Sequence, residues 1–110
     1  MRTQDPLPPF PDNRGKERKI HAIDGRELSL RIEDEIVRPQ ANAHHPKLIY
    51  LQKVRFEEDD RVEYRLTYYM LGQKPGAHGK WVFGQYSLLV PPPDLAALLA
   101  EARRRGWEGV

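Results

Sequence analysis

The sequence predicts an α+β domain: a three-stranded antiparallel meander, an N-terminal β-hairpin beside or across it, and a C-terminal helix packed on one sheet face. Three observations predict it. Val62, Tyr64, Leu66, Tyr68 and Met70 alternate with Glu63, Arg65 and Thr67, the period of a strand with one buried face. A second apolar run, Trp81 to Val90, follows a loop holding Gly72, Pro75, Gly76 and Gly79, a composition that breaks both helix and strand. Leu95, Leu98, Leu99 and Ala102 then form one helical stripe after Pro91-Pro92-Pro93.

Register in the central hairpin follows from matching apolar to apolar, because a slip of one residue turns every side chain over. Met70 is set against Val82, Tyr68 against Gly84, Leu66 against Tyr86, Tyr64 against Leu88 and Val62 against Val90, all on the helix-covered face. A tyrosine ring over a strand glycine fills the space the missing side chain leaves. The reverse face then carries Tyr69 beside Phe83 and Leu71 beside Trp81.

The first meander strand is Leu48–Phe56, with Leu48, Tyr50, Gln52, Val54 and Phe56 on one side and Ile49, Leu51, Lys53 and Arg55 on the other. Pairing Phe56 with Val62 and Val54 with Tyr64 requires a turn with an odd number of residues. Glu57-Glu58-Asp59-Asp60 fall in this turn and read as a solvated run rather than a cation site.

Residues 1–15, with Pro6, Pro8, Pro9 and Pro11, are expected to be an extended or disordered tail with Phe10 as an anchor, and residues 16–110 a single domain. Asp24-Gly25 marks a hairpin turn. A three-residue loop or a bulge there sets Ile20 against Leu28 or Leu30. The second strand of the hairpin is expected to run through Ile32. Leu28, Ile32 and Ile36 also fit a helix over 27–37, so that segment stays open between strand and helix. Pro39 ends it. His44-His45 lie in a loop and point to opposite sides, so no metal site is expected there. At the C-terminal helix, Asp94 suits the first turn and Arg103–Arg105 the last. Gly106 is placed as the residue that ends the helix, with Trp107 folding back on it.

Composition bounds the chemistry. The 110 residues contain no cysteine, which removes disulfides and thiolate chemistry and fits a reducing, cytoplasmic setting. The longest apolar run, Tyr86–Val90, is far too short to span a bilayer, so no membrane partner is expected. Net charge is +2, a small basic excess. Ser29 and Ser87 sit in no nucleophile-elbow pattern. The Gly72–Lys80 loop lacks the Gly-Lys-Ser/Thr of a phosphate-binding loop. No catalytic residue, cofactor or metal is therefore assigned, and the chain reads as a non-enzymatic binding module.

The candidate binding surface is the sheet face away from the helix. Tyr69, Trp81 and Phe83 supply rings there with Ile49. Arg65, Lys53 and Arg55 supply cations, and Lys74, His78 and Lys80 cap one end from the loop. Rings flanked by cations suit base stacking and phosphate contact, so nucleic acid is the expected partner. Self-association through the same face as a homodimer is the alternative, and burial beneath residues 16–36 as a second core layer is the structural one. Three antiparallel strands followed by a helix, over Leu48–Gly106, resemble the layout of AP2-type DNA-binding domains. That resemblance rests on element order and an aromatic strand end, and implies a sheet face that reads DNA.

Overall fold

The computed structural model describes residues 7–40 and 43–110. The other part of the N-terminal tail, residues 1–6, and positions 41 and 42 of the His44-His45 loop lie outside the described residues. Five antiparallel strands stand in chain order in one sheet: β1 Glu17–His21, β2 Glu27–Pro39, β3 Lys47–Phe56, β4 Val62–Leu71 and β5 Trp81–Phe83. Helix α1 spans Pro92–Arg104. The fold is α+β. The N-terminal hairpin lies beside the meander and extends its sheet.

The β1–β2 turn encloses Ile23-Asp24-Gly25, with Gly25 at φ 88 and Ala22 N–H donating to the Arg26 carbonyl at 2.8 Å. This three-residue loop sets Ile20 opposite Leu28, one of the two pairings expected. β2 is strand throughout, not helix, and runs past Ile32 to Pro39. The helix-like spacing of Leu28, Ile32 and Ile36 comes from a bulge. Register shifts between Ile32 and Asp34, so Glu33 is the extra residue. A bulge reverses side-chain parity. Leu30 and Ile32 therefore face one way, opposite Phe56 and Val54, while Ile36 faces the other way, opposite Leu51.

The two faces hold separate cores. Ile36, Ile49 and Leu51 join Leu98, Ala102 and Trp107 beneath the helix. On the opposite face Leu30, Ile32, Val54 and Phe56 cluster, with Ile20 and Leu28 against them. The helix starts on Pro91, with prolines in its first positions and Asp94 in its first turn. The Asp94 carboxylate accepts from Arg38 Nε at 2.9 Å, which ties that turn to β2. At the other end Gly106 N–H donates to the Arg103 carbonyl and Trp107 N–H to the Ala102 carbonyl, each at 3.0 Å. These paired bonds, with Gly106 at φ 77, are a Schellman cap.

Within the stripe Leu98 is 1% exposed and Leu99 38% exposed. Leu98→Ala is expected to cost about 2–5 kcal/mol as a cavity in the helix-side core. Leu99→Ala should stay near the surface range of about 0.5 kcal/mol. Paired urea melts of the two variants check this; equal midpoints would mean the helix is not docked through Leu98.

Two register expectations are corrected. The β3–β4 turn is even, not odd: Phe56 N–H donates to Arg61 O at 2.9 Å, enclosing Glu57–Asp60. Asp60 takes φ 61, a left-handed conformation that aspartate tolerates better than most residues. Val62 therefore faces Arg55, and Leu51 faces Leu66. Ile49, Lys53 and Arg55 are on the helix side, not opposite it.

The second correction concerns β5. Met70–Val82, Tyr69–Phe83 and Leu71–Trp81 pair as expected, and Gly84 N–H donates to Tyr68 O at 2.8 Å. Beyond Gly84 the chain leaves the sheet, so Leu66–Tyr86, Tyr64–Leu88 and Val62–Val90 do not form. Leu88 and Val90 pack instead against the helix-side core. Tyr68 explains the departure. Its ring lies over Gly84, and its hydroxyl accepts from Tyr86 N–H at 3.2 Å, taking a backbone donor out of the ladder.

A Cβ at Gly84 would overlap the Tyr68 ring. Gly84→Ala is expected to destabilise by about 1–3 kcal/mol through overpacking. Tyr68→Ala should remove that obstruction, so a double-mutant cycle should show strong coupling. Additive effects would rule out the ring as the cause.

Candidate binding site

The face away from the helix is divided by the N-terminal segment. Residues 7–15 run across it. Trp81 Nε1 donates to Pro8 O at 3.1 Å, and the Phe10 ring meets the Trp81 ring edge-on at 5.9 Å. Tyr50 hydroxyl donates to Pro11 O at 2.6 Å. Burial pushes the Tyr50 phenol well above its usual value, and the nearby Glu35 charge adds to it. Trp81 is therefore partly covered and its indole N–H is engaged.

Where the segment turns down, Asn13 reaches a buried polar network. Its N–H donates to Glu35 Oε2 at 2.7 Å and its side-chain amide to Glu35 Oε1 at 3.3 Å. Gln52 Nε2 donates to the same Oε1 at 2.9 Å. Glu35, Gln52 and Asn13 are 6%, 1% and 3% exposed, so these bonds replace those lost to water. Glu35 accepts from every partner, which fixes both amides with their NH₂ toward it and their carbonyl oxygens outward. The Gln52 oxygen takes Arg65 Nε at 2.9 Å, and the Asn13 oxygen takes Tyr69 hydroxyl at 3.4 Å.

Arg65 and Tyr69 are thereby presented to a cavity of about 430 Å³. Its lining comes from all five strands: Arg18 and Ile20 of β1, Ile32 of β2, Gln52 of β3, Arg65 and Tyr69 of β4, and Phe83 of β5. Only a curled sheet brings its first and last strands around one space. The Phe83 ring is 45% exposed, meets the Tyr69 ring at 5.4 Å and has the Arg65 guanidinium 5.9 Å from its centre.

Burial lowers the Arg65 pKa below its usual value. Tyr69 and Glu35 act against that shift, and the Arg18 charge adds to it. Among the described residues no carboxylate lies within ion-pair distance of Arg65 or Arg18. Arg65 bonds the Gln52 amide, and Arg18 bonds only the Glu17 carbonyl, at 2.9 Å. Lys19, which also lines the cavity, is paired with Glu27 at 3.5 Å; elsewhere on the sheet Arg31 pairs with Glu17 at 3.6 Å and Arg55 with Glu33.

The structure thus brings Arg65, Tyr69 and Phe83 together and separates the other candidates from them. Lys53 is on the helix side, 3.8 Å from Glu33, because the even turn shifts β3 against β4. Lys74 lines a different recess with Met70, Val82 and Tyr86. His78 bridges Gly72 in the β4–β5 loop. Lys80 closes that loop, donating to Ala77 O at 3.0 Å and accepting from Gly72 N–H at 2.7 Å. Arg18, Asn13 and Gln52 were not among the candidates. Arg18 shares parity with Ile20 in a strand whose partner carries Leu28 and Leu30, and that alternation was the available signal.

No three histidines, carboxylates or cysteines come together as a metal site among the described residues. No described helix is long and apolar enough to cross a membrane. No family model, curated protein or solved structure matches this chain. Three antiparallel strands followed by a helix run from β3 to α1, within a five-stranded sheet whose face away from the helix is crossed by residues 7–15.

Proposed function

We propose that this protein is a non-enzymatic binding module that takes nucleic acid on the curled face of its sheet. One observation carries the reading: an exposed ring, Phe83, stands beside the Arg65 guanidinium in a cavity where that cation has no carboxylate partner. A base can stack on the ring and a phosphate can meet the guanidinium. The curled, walled cavity favours a single strand over a duplex, since a splayed nucleotide fits a recess that a rigid double helix bridges.

Phe83→Ala is expected to lose about 1–3 kcal/mol of binding. Arg65→Gln should weaken binding and flatten its salt dependence by about one phosphate contact. Titration of labelled DNA and RNA oligonucleotides at low salt tests both. No binding at tens of micromolar would overturn the proposal.

Self-association is the second reading, and a different surface favours it. Tyr86 is 83% exposed and Leu89 80% exposed, with Val82 and Leu66 also open on the side that the helix leaves uncovered. Val82 and Tyr86 line one recess, and exposed apolar groups that lie together commonly mark an interface. A dimer on sizing that persists at high salt and is lost in Tyr86→Ser would support it.

A further inference from the structure

Arg18 is the least expected member of the cavity. It projects from the edge strand β1, lies in a run of charges and is solvent-exposed at the rim of the cavity. Curling of the sheet places it at the same space as Arg65. Neither is in direct ion-pair contact with a carboxylate among the described residues; Glu35 acts on Arg65 only from behind the Gln52 amide. Two guanidiniums at one cavity repel unless an anion sits between them.

The form of the cavity limits which anion. On one side the N-terminal segment crosses the sheet, held at Trp81, Tyr50 and Glu35. On another the β1 strand closes the space with Arg18 and Ile20. A polynucleotide laid on Phe83 meets these two sides, which leave less room for a through-running strand than for a strand end. An internal phosphodiester carries one negative charge, whereas a phosphate monoester carries about −1.5 to −2 near neutral pH. The monoester matches two cations, and its three terminal oxygens match two planar donor forks. A volume of about 430 Å³ lies in the range of small-ligand pockets, roughly 300–1,000 Å³.

We propose that the cavity bounded by Arg18, Arg65, Gln52, Tyr69 and Phe83 is a site for the phosphate monoester of a nucleotide, with the phosphate between the two guanidiniums and the base on Phe83. This rests on the reading of the face as a nucleic-acid surface and narrows it from internal stretches to ends. The same chemistry is offered by a strand terminus and by a free nucleoside monophosphate. No bond is made or broken; the site binds.

The experiment compares one short single-stranded sequence in four forms: 5′-hydroxyl, 5′-phosphate, 3′-phosphate, and the corresponding free nucleoside 5′-monophosphate. Affinity is measured by anisotropy or calorimetry at fixed salt. The expected result is that one phosphorylated end binds about tenfold or more tightly than the hydroxyl form. Arg18→Gln should weaken the phosphorylated form far more than the hydroxyl form and so shrink that difference, with the melting temperature unchanged; an equal loss for both forms would overturn the placing of the terminal phosphate at Arg18. Binding of the monophosphate alone, with no oligonucleotide bound, would support the site and discard the nucleic-acid strand as its source. Equal affinity for phosphorylated and hydroxyl ends would overturn the site and leave the general nucleic-acid reading standing. Binding of none of the four would overturn both.

Discussion

Trp107→Ala is expected to destabilise the protein by about 3–5 kcal/mol, the range for removing a large buried aromatic. Trp107 is 5% exposed and sits in the helix-side core with Ile36, Ile49, Leu51, Leu98 and Ala102. It adds more than area. Its ring stacks on Tyr64 at 5.3 Å, with the planes 20° apart, and aromatic pairs contribute beyond their burial. Its indole N–H donates to Asp34 Oδ2 at 3.2 Å. Asp34 also accepts from Arg105 NH1 at 3.0 and 3.1 Å. One carboxylate thus holds both the last turn of the helix and the residue beyond its cap. Removing the indole opens a cavity, loses the stack and leaves Asp34 with Arg105 and the Glu35 N–H. Trp107→Phe should recover most of the packing and little of the bond, and should fall between the two. The measurement is the urea midpoint with its slope. A loss below about 1 kcal/mol for Trp107→Ala would mean that this core closes without it.

What the sequence disclosed here follows the reach of each signal. Alternation placed β3 and β4, turn chemistry placed the Asp24-Gly25 loop, and the Pro–Asp and Arg–Gly signals bracketed the helix. Each of those is local. Two failures are of parity, which depends on the exact count of residues within and between strands; a third, the departure of the chain from the sheet after Gly84, comes from the Tyr68 ring and hydroxyl. Glu33 as a bulge residue leaves no mark in composition, yet it moves Ile36 to the face opposite Ile32. Asp60 in a left-handed conformation shortens the acidic turn by one residue. That single step carries Lys53 and Arg55 away from the candidate face and Gln52 onto it. The candidate site was therefore legible on β4 and β5, where Tyr69, Phe83 and Arg65 follow from one hairpin. It was not legible on β1 and β3. Arg18 reaches the cavity only because the sheet curls, a property of the whole assembly rather than of any segment. Trp81 was placed on the right face, but its cover is a proline-rich segment more than seventy residues away in the chain, whose docking uses backbone carbonyls that no side-chain pattern reveals.

The second large effect is expected at Glu35. Glu35→Ala should cost about 2–4 kcal/mol, because it strands three buried donors: Asn13 N–H, the Asn13 amide and Gln52 Nε2. Each buried donor without a partner costs about 1–3 kcal/mol. Removing a buried charge recovers part of that sum, since the carboxylate no longer has to be kept out of water. Glu35→Gln is the sharper variant. It keeps the shape, but an amide presents an NH₂ on one side, where every neighbour is itself a donor. With the NH₂ in the Oε2 position it opposes the Asn13 N–H, which cannot turn over; in the Oε1 position it opposes both side-chain amides, and each must turn over to relieve its own contact. If Gln52 turns, its NH₂ faces Arg65 Nε and the guanidinium loses its fixed acceptor. If Asn13 turns, Tyr69 hydroxyl loses its own. Glu35→Gln is therefore expected to lose less stability than Glu35→Ala, yet to weaken nucleotide binding through a loosened Arg65 or Tyr69. Denaturation and titration on the same samples separate the two effects. Unchanged binding in a folded Glu35→Gln protein would show that the network supports the N-terminal segment alone and does not position the cavity's side chains.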